Sequence, residues 1–415
     1  MRFKLSFIKV RRFLLVFLVV ATSFVGGYRI GVMGYKAEVN EALKVTINRN
    51  PPPDKNVDMS LFWEVWDTLG AKYFDKTKLV PSQMVYGAIG GMVSALGDPY
   101  TMFLSPSQNK IVNEDLSGSF EGVGIEIGYK NTYLAVIAPL AGSPAEKAGV
   151  KAGDYIIHIK DETKGVDVDS SGLPITEAVT YIRGAAGTVV TLTLVREGNP
   201  EPIVVDITRA KLDVPSIEVS FMGEGSDIGY IKINRFGGET VGEWDKAVRQ
   251  ITDRCQVGGG RCKGIIIDLR NNPGGYLQAA IDIASDFVPA KTTVVIQENG
   301  DGTKEEFKST RLERLGNYKT VILINEGSAS ASEILGGALR DDRGIVLIGE
   351  TSFGKGTIQE PLDFAGGSGL HVTTSRWLTP AGVWVHENGL KPDIEIVPKE
   401  EDEADVQLQR AIEYF

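Results

Sequence analysis

The sequence predicts a multidomain α/β protein, on three observations. A chain of 415 residues with 42% apolar content is too long for one ordinary domain and can fill more than one core. From Ile217 onward the apolar runs "IGYIKI", "GIIIDLR", "TVILIN" and "GIVLIG" alternate with the amphipathic stretches "ETVGEWDKAVRQITD", "LQAAIDIASDFV" and "ASASEILGGALRDD". Strand and helix alternating at this spacing build an α/β sheet. Between Gly118 and Arg209 the texture changes to short runs separated by glycine turns. There "YLAVIAPL", "YIIHIK", "VVTLTLVRE" and "PIVVDITR" read as strands, while "SPAEKAGV" and "ITEAVTYIRGA" read as helices, a β-rich unit inserted ahead of the α/β core.

The N-terminus has its own character. Five basic residues precede "FLLVFLVVATSFVGGY", Phe13 to Tyr28, an uncharged and mostly apolar run that reads as a membrane helix. Its sixteen residues give roughly 24 Å of helix, against a hydrocarbon core of about 30 Å that Arg29 and Lys36 would help span by snorkelling. The basic flank places the N-terminus in the cytoplasm and the bulk of the chain outside it, periplasmic or extracellular. A cleaved signal peptide, with "ATS" as the cleavage site, is the alternative, and it would leave a secreted protein. The expected organisation is an anchor or signal segment over 1–36, a linker over 37–56 stiffened by "NRNPPPDKN", a helical part over 57–117, the β-rich unit over 118–209 and the α/β core over 210–415.

Composition excludes some functions. Net charge is −10, and beyond the first 36 residues 37 basic groups face 54 acidic ones, a balance that repels nucleic acid. No Cys/His cluster suits a metal, and no cofactor is expected. The two cysteines, Cys255 and Cys262, bracket "QVGGGR" and stand either as a disulfide or as two free thiols.

The stretch "GETSFGKGT", Gly349 to Thr357, imitates a phosphate-binding loop. Such a loop needs a hydroxyl after its lysine and a helix behind it. Here Gly356 follows Lys355 and "GTIQEPLDF" is β-like, so nucleotide binding is set aside. Ser352 and Lys355 also fall at S-x-x-K spacing, but the glycines at 354 and 356 oppose the helix that β-lactamase-like chemistry requires. A better nucleophile lies in "VILINEGSASASEILGGAL", where a strand runs into a small-residue turn and a helix is expected to start around Ala329. A serine at that start meets free backbone N–H groups and the positive end of the helix dipole, although serine-rich helix starts also serve as plain caps. The three histidines, His158, His371 and His386, read as structural, so a lysine is the natural base. Lys355 also leaves a parallel strand, and its free pKa of about 10.4 must fall by roughly three units, about 4 kcal/mol, for the amine to accept a proton near neutrality. Gln359, four residues on in an extended chain, points to the same side and is placed to orient the amine. A third loop, "IIIDLRNNPGGYLQAA", offers the N–H groups of Gly274 or Gly275 as oxyanion donors, beside the N–H of the residue after the serine.

Together "IDLRNNPGG", "LINEGSASASEILGGALRD" and "GETSFGKGTIQ" resemble the motifs of the carboxy-terminal processing, or tail-specific, proteases, in family order and with serine and lysine 25 residues apart. The resemblance runs from about Val57 to the C-terminus. It implies Ser330 as nucleophile, Lys355 as general base, Gln359 as the residue orienting the lysine, and Gly275 and Ala331 as oxyanion donors. It also implies that the β-rich unit is a PDZ domain. "FEGVGIEIG" then holds a chain-terminal carboxylate on backbone N–H groups of Gly122, Val123, Gly124 and Ile125, and Arg183 couples the domain to the catalytic centre.

The expectation is a membrane-anchored serine endopeptidase acting on protein substrates with apolar C-termini through an acyl-enzyme. The competing class is a non-catalytic scaffold that only tethers such tails, with a β-lactamase-like acyl transferase a distant third. The terminal "DVQLQRAIEYF" is amphipathic, either a docked helix or a homodimer contact.

Overall fold

The strands Gly264–Asp268 and Thr320–Ile324 are buried at every position. Such strands belong at the centre of a parallel sheet covered on both faces. They are neighbours in a six-stranded sheet of order Ile217–Met222, Ile228–Ile233, Gly264–Asp268, Thr320–Ile324, Val346–Gly349 and Ile394–Glu395. The first pair is antiparallel and the rest are parallel. Across the ladder Ile267 faces Ile322 and Leu323 faces Ile348, so the loops following three adjacent strands emerge side by side at one edge. Helices Thr240–Val257, Leu277–Ala284 and Ala331–Arg343 supply Trp244, Ile281 and Leu335 to the core beneath.

These observations come from a computed structural model that describes residues 7–32, 35–39, 45–49, 57–130, 132–140, 142–257, 262–399, 402 and 404–415. The chain divides into two units, Met1–Val85 and Tyr86–Phe415. In the second unit a five-stranded sheet joins Lys304–Lys308, Thr293–Asn299, Gly369–Leu378 and Thr357–Asp363, with Met102–Leu104 paired to Gly369–His371. Residues just before the β-rich unit thus pair with a strand of the part of the chain that follows it. Pro106–Ser117, within the helical part expected over 57–117, is a helix with Pro at its start and a Ser105–Gln108 capping box.

The β-rich unit has the strand order Ile203–Thr208, Val189–Val195, Tyr155–Asp161, Tyr133–Pro139 and Ile125–Lys130, with Val166–Asp169 added on Tyr155–Asp161. Its helices are Pro144–Lys147 and Ile175–Ile182. Strands Ser119–Gly122 and Ala210–Asp213 pair antiparallel where the chain enters and leaves it. Cys255 and Cys262 form a disulfide, which settles the pair of readings left open above. The C-terminal helix Val406–Glu413 packs Ala411 against Ile266, Val321, Leu323 and Ile348, so its apolar side is docked on the sheet rather than offered to a second copy.

In the first unit the apolar run forms a helix, Phe7–Val32. No helix among the described residues is long and apolar enough to cross a membrane. The expected membrane-spanning anchor is therefore not supported. The uncharged run between Arg11–Arg12 and Arg29 is too short at 1.5 Å per residue, and Thr22, Ser23, Gly26 and Gly27 dilute it. Part of the expected linker carries a hairpin, Tyr35–Val39 with Val45–Arg49, and its 50–56 stretch lies outside the described residues.

Candidate active site

Three serines compete for the nucleophile position, and their surroundings separate them. Ser328 is buried, with its hydroxyl donating to Leu269 O at 2.8 Å, and Ser332 is buried, with its hydroxyl donating to Asn272 O at 3.0 Å. Ser330 lines a cleft of about 650 Å³. Its backbone is bent into the left-handed region at φ 53°, a conformation that a serine adopts only when its surroundings enforce it. The helix starts at Ala331, two residues later than the sequence suggests, which leaves Ser330 at its N-terminus.

The loop after Gly264–Asp268 meets this turn. Buried Asn272 organises it: Nδ2 donates to Ile233 O, Oδ1 accepts from Gly274 N, and its carbonyl accepts from Ala329 N. Gly274 has φ 98° and Gly275 φ 138°. A Cβ on Gly274 would stand 2.8 Å from Ser330 Cβ, and one on Gly275 would stand 2.1 Å from Phe236 O. Neither Gly275 N nor Ala331 N donates a hydrogen bond among the described residues, and both flank Ser330. Gly274→Ala is accordingly expected to push the loop off Ser330 and lower kcat about 10²–10³-fold, the size of losing one oxyanion donor, and to lower Tm as well through the backbone clash and the positive φ; steady-state kinetics beside a thermal melt check it.

Lys355 reaches the same cleft from the third loop. Burial lowers its pKa below the ordinary lysine value, while Asp98 and Glu333 pull the other way. Its Nζ lies 5.1 Å from the centroid of the Tyr100 ring. No hydrogen bond joins Lys355 to Ser330 or to Gln359 among the described residues. The Gln359 amide instead donates to Thr357 Oγ1 at 2.9 Å and Thr373 Oγ1 at 3.1 Å. Gln359 lines the same cleft as Lys355, on the side of its strand that also carries Thr357. His371 also lines the cleft; burial first, and the Lys355 charge second, hold its pKa below the usual imidazole range. His158 pairs with Asp167, and His386 stacks on Trp384.

In the β-rich unit, Val123, Gly124, Ile125 and Arg183 line one groove of about 160 Å³ with Ile127, Ile175 and Val179. Gly122 sits beside it in the entry strand pair. Gly124 has φ 77°, and a Cβ there would meet Ser143 Cβ at 2.4 Å. Arg183 donates to Asp115 Oδ1 at 2.6 Å and lies over the Phe120 ring. Phe120 lines both this groove and the Ser330 cleft.

The sequence model of peptidase family S41 matches residues 227–396, and that of the PDZ domain matches residues 136–196. The carboxy-terminal processing protease CtpA of Bacillus subtilis (strain 168) is 35% identical over 331 residues, covering 80% of this chain and 67% of the relative. The carboxy-terminal processing protease CtpB of the same organism is 33% identical over 356 residues, 86% of this chain and 71% of the relative. The chain belongs to the carboxy-terminal processing proteases of peptidase family S41. The solved structure of a photosystem II D1 C-terminal processing protease agrees, with a TM-score of 0.51 and 28% identity over 85% of this chain and 95% of that one.

In this S41 chain the residue that joins the loops is one the motifs do not single out. Glu333, only 1% exposed, accepts from Ser330 N at 2.8 Å, Ser352 Oγ at 2.6 Å, Gly354 N at 2.7 Å and Lys355 N at 2.9 Å. One carboxylate thereby fixes the backbone of both the serine and the lysine. Its signal was present locally, since Ser330 to Glu333 reads S-x-x-E, a capping box. Ser352, singled out only as half of an S-x-x-K match, belongs to this network and also accepts from Leu390 N.

Proposed function

We propose that this chain is a serine endopeptidase in which Ser330 and Lys355 form the catalytic pair and the PDZ groove captures the apolar C-terminus of a protein substrate. The observation that carries the reading is the cleft itself, where Ser330 at a helix N-terminus, the half-buried Lys355 and Gly275, whose N–H is uncommitted, line one space. Ser330 Oγ and Lys355 Nζ come within hydrogen-bond reach when substrate fills the cleft; catalytic hydrogen bonds are often unformed without substrate. The proton of Ser330 Oγ passes to Lys355 Nζ as Oγ bonds to the scissile carbonyl carbon. The oxyanion rests on the N–H groups of Gly275 and Ala331, at the positive end of the helix dipole. The C–N bond then breaks, the leaving amine takes the proton from Lys355, and water releases the acyl-enzyme by the same route. Gln359 orients the amine once its amide leaves Thr357 and Thr373.

Apolar side chains of Leu116, Phe236, Leu277 and Trp377 line the cleft and suit an apolar residue at the cut. In the PDZ domain the substrate tail adds as a strand beside Ile125–Lys130, with its carboxylate at Val123–Ile125. Arg183 and Phe120 connect tail binding to the cleft. We further propose that the folded part works outside the cytoplasm. The basic and apolar N-terminus and the Cys255–Cys262 disulfide support this, because disulfides persist in oxidising compartments.

The test is digestion of an unstructured polypeptide ending in apolar residues, beside the same polypeptide ending in aspartates, with mass spectrometry of the trapped enzyme. Tail-dependent cleavage with the acyl group on Ser330 is expected. Tail binding by the PDZ domain without cleavage would favour the tethering scaffold.

A further inference from the structure

Lys355 does not end in solvent. Its Nζ faces the ring of Tyr100, from the segment "GDPYT" that precedes the PDZ domain and lies outside both matched family regions. Several contacts hold that ring in place. Tyr100 N donates to Asp98 Oδ1 at 3.0 Å, and Thr101 Oγ1 donates to Asp98 Oδ2 at 2.6 Å. Thr101 Oγ1 in turn accepts from Thr373 N at 3.0 Å, and Met102 pairs with His371. The ring also meets His386 edge-on at 6.1 Å; His386 stacks on Trp384 at 5.0 Å, and Trp384 Nε1 donates to Gly356 O. The contacts close a circuit from Lys355 through three rings back to the residue after it.

We propose that Tyr100 is a positioning residue for Lys355, whose ring face carries the ammonium that forms when Lys355 takes the proton of Ser330. The proposal rests on the reading of Lys355 as general base. A base that gains a proton in the rate-determining step needs somewhere to put positive charge in a cleft that excludes water. An aromatic face supplies this without accepting the proton, since the negative face of the ring attracts a cation and is indifferent to a neutral amine. The charged groups around Lys355 are Asp98 from the same segment as Tyr100, Glu333 from the nucleophile helix and His371 from the neighbouring strand. His386, edge-on to the ring, adds an imidazole. Glu333 is committed to four donors and Asp98 to two, which leaves the ring as the group facing Nζ directly.

The test uses the full chain with phenylalanine, ring-fluorinated phenylalanines or leucine at position 100. The fluorinated rings keep the shape and weaken the face, so they remain informative where Tyr100→Leu fails to fold. Lys355 is titrated by the pH dependence of its labelling with trinitrobenzene sulfonate, read by mass spectrometry, and the pH profile of kcat/KM is measured beside it. Tyr100→Phe is expected to leave the labelling midpoint at the wild-type value. Fluorination and leucine are expected to move it to lower pH by about half to one unit, with the kcat/KM plateau falling about threefold to tenfold. A midpoint that stays fixed across the series, or that moves equally with phenylalanine, overturns the proposal. A wild type that cleaves nothing would remove the protease reading, while the labelling series would still decide what the ring does to the lysine.

Discussion

Ser330→Ala is expected to lower kcat on a tailed polypeptide by about 10⁴–10⁶-fold, Lys355→Met by a similar factor, and the double variant by no more than either alone. The two groups make one bond-forming event: without the amine the hydroxyl keeps its proton, and without the hydroxyl the amine has nothing to deprotonate. Losses that multiply in the double variant would mean the two residues act independently. The same substitutions separate function from stability. The Ser330 hydroxyl holds none of the loop contacts given above, so alanine should leave the melting temperature near wild type. Burial depresses the Lys355 pKa, so the folded state binds fewer protons than the unfolded state between the depressed value and the ordinary 10.5. Stability therefore rises with pH across that window, and below it the fold carries the full cost of a buried ammonium. Lys355→Met is expected to raise Tm near neutrality, by an amount that shrinks as pH approaches 10.5, while kcat/KM of the wild type rises with pH through the depressed value.

What local pattern could show, it showed. The runs "GIIID" and "TVILI" read as central strands because every position is apolar or small, and adjacent parallel strands place their loops together by geometry alone. The meeting of the serine turn, the Lys355 loop and the glycines at 274 and 275 was legible for that reason, whereas the choice of Ser330 and Gly275 within them came from the resemblance. Tyr100 was not, because its relation to Lys355 depends on Met102–Leu104 pairing with Gly369–His371 across more than 260 residues, and no short-range period records such a pairing. Gln359 was read by the alternation of an extended chain, and the structure puts it on the cleft with Lys355, its amide held by Thr357 and Thr373. The helix Pro106–Ser117 falls inside the helical part expected over 57–117, with Pro106 starting it at the first helical position.

Glu333→Ala is expected to cost about 3–5 kcal/mol of stability and at least about 10²-fold in kcat. The side chain is buried, and removing it strands Ser352 Oγ and the N–H groups of Ser330, Gly354 and Lys355 in a space with no replacement acceptor. Ser330 then loses the bond that holds its left-handed backbone, and Lys355 loses the bond that aims its loop. Glu333→Gln preserves the shape but offers one accepting oxygen where two are needed, so about 1–3 kcal/mol is expected with a kcat loss between wild type and alanine. Denaturant unfolding and kinetics on the same preparations check the order. The pH dependence carries a further sign. Burial raises the Glu333 pKa above the ordinary 4.5, opposed by its donors, so the folded state keeps a proton that the unfolded state releases. Wild-type stability from this group falls as pH rises through 4.5 toward the raised value, and is level beyond it. Glutamine cannot ionise, so its deficit relative to wild type should be largest in acid and smaller near neutrality. A deficit that grows with pH instead would mean that the four donors outweigh burial and hold Glu333 as a carboxylate throughout.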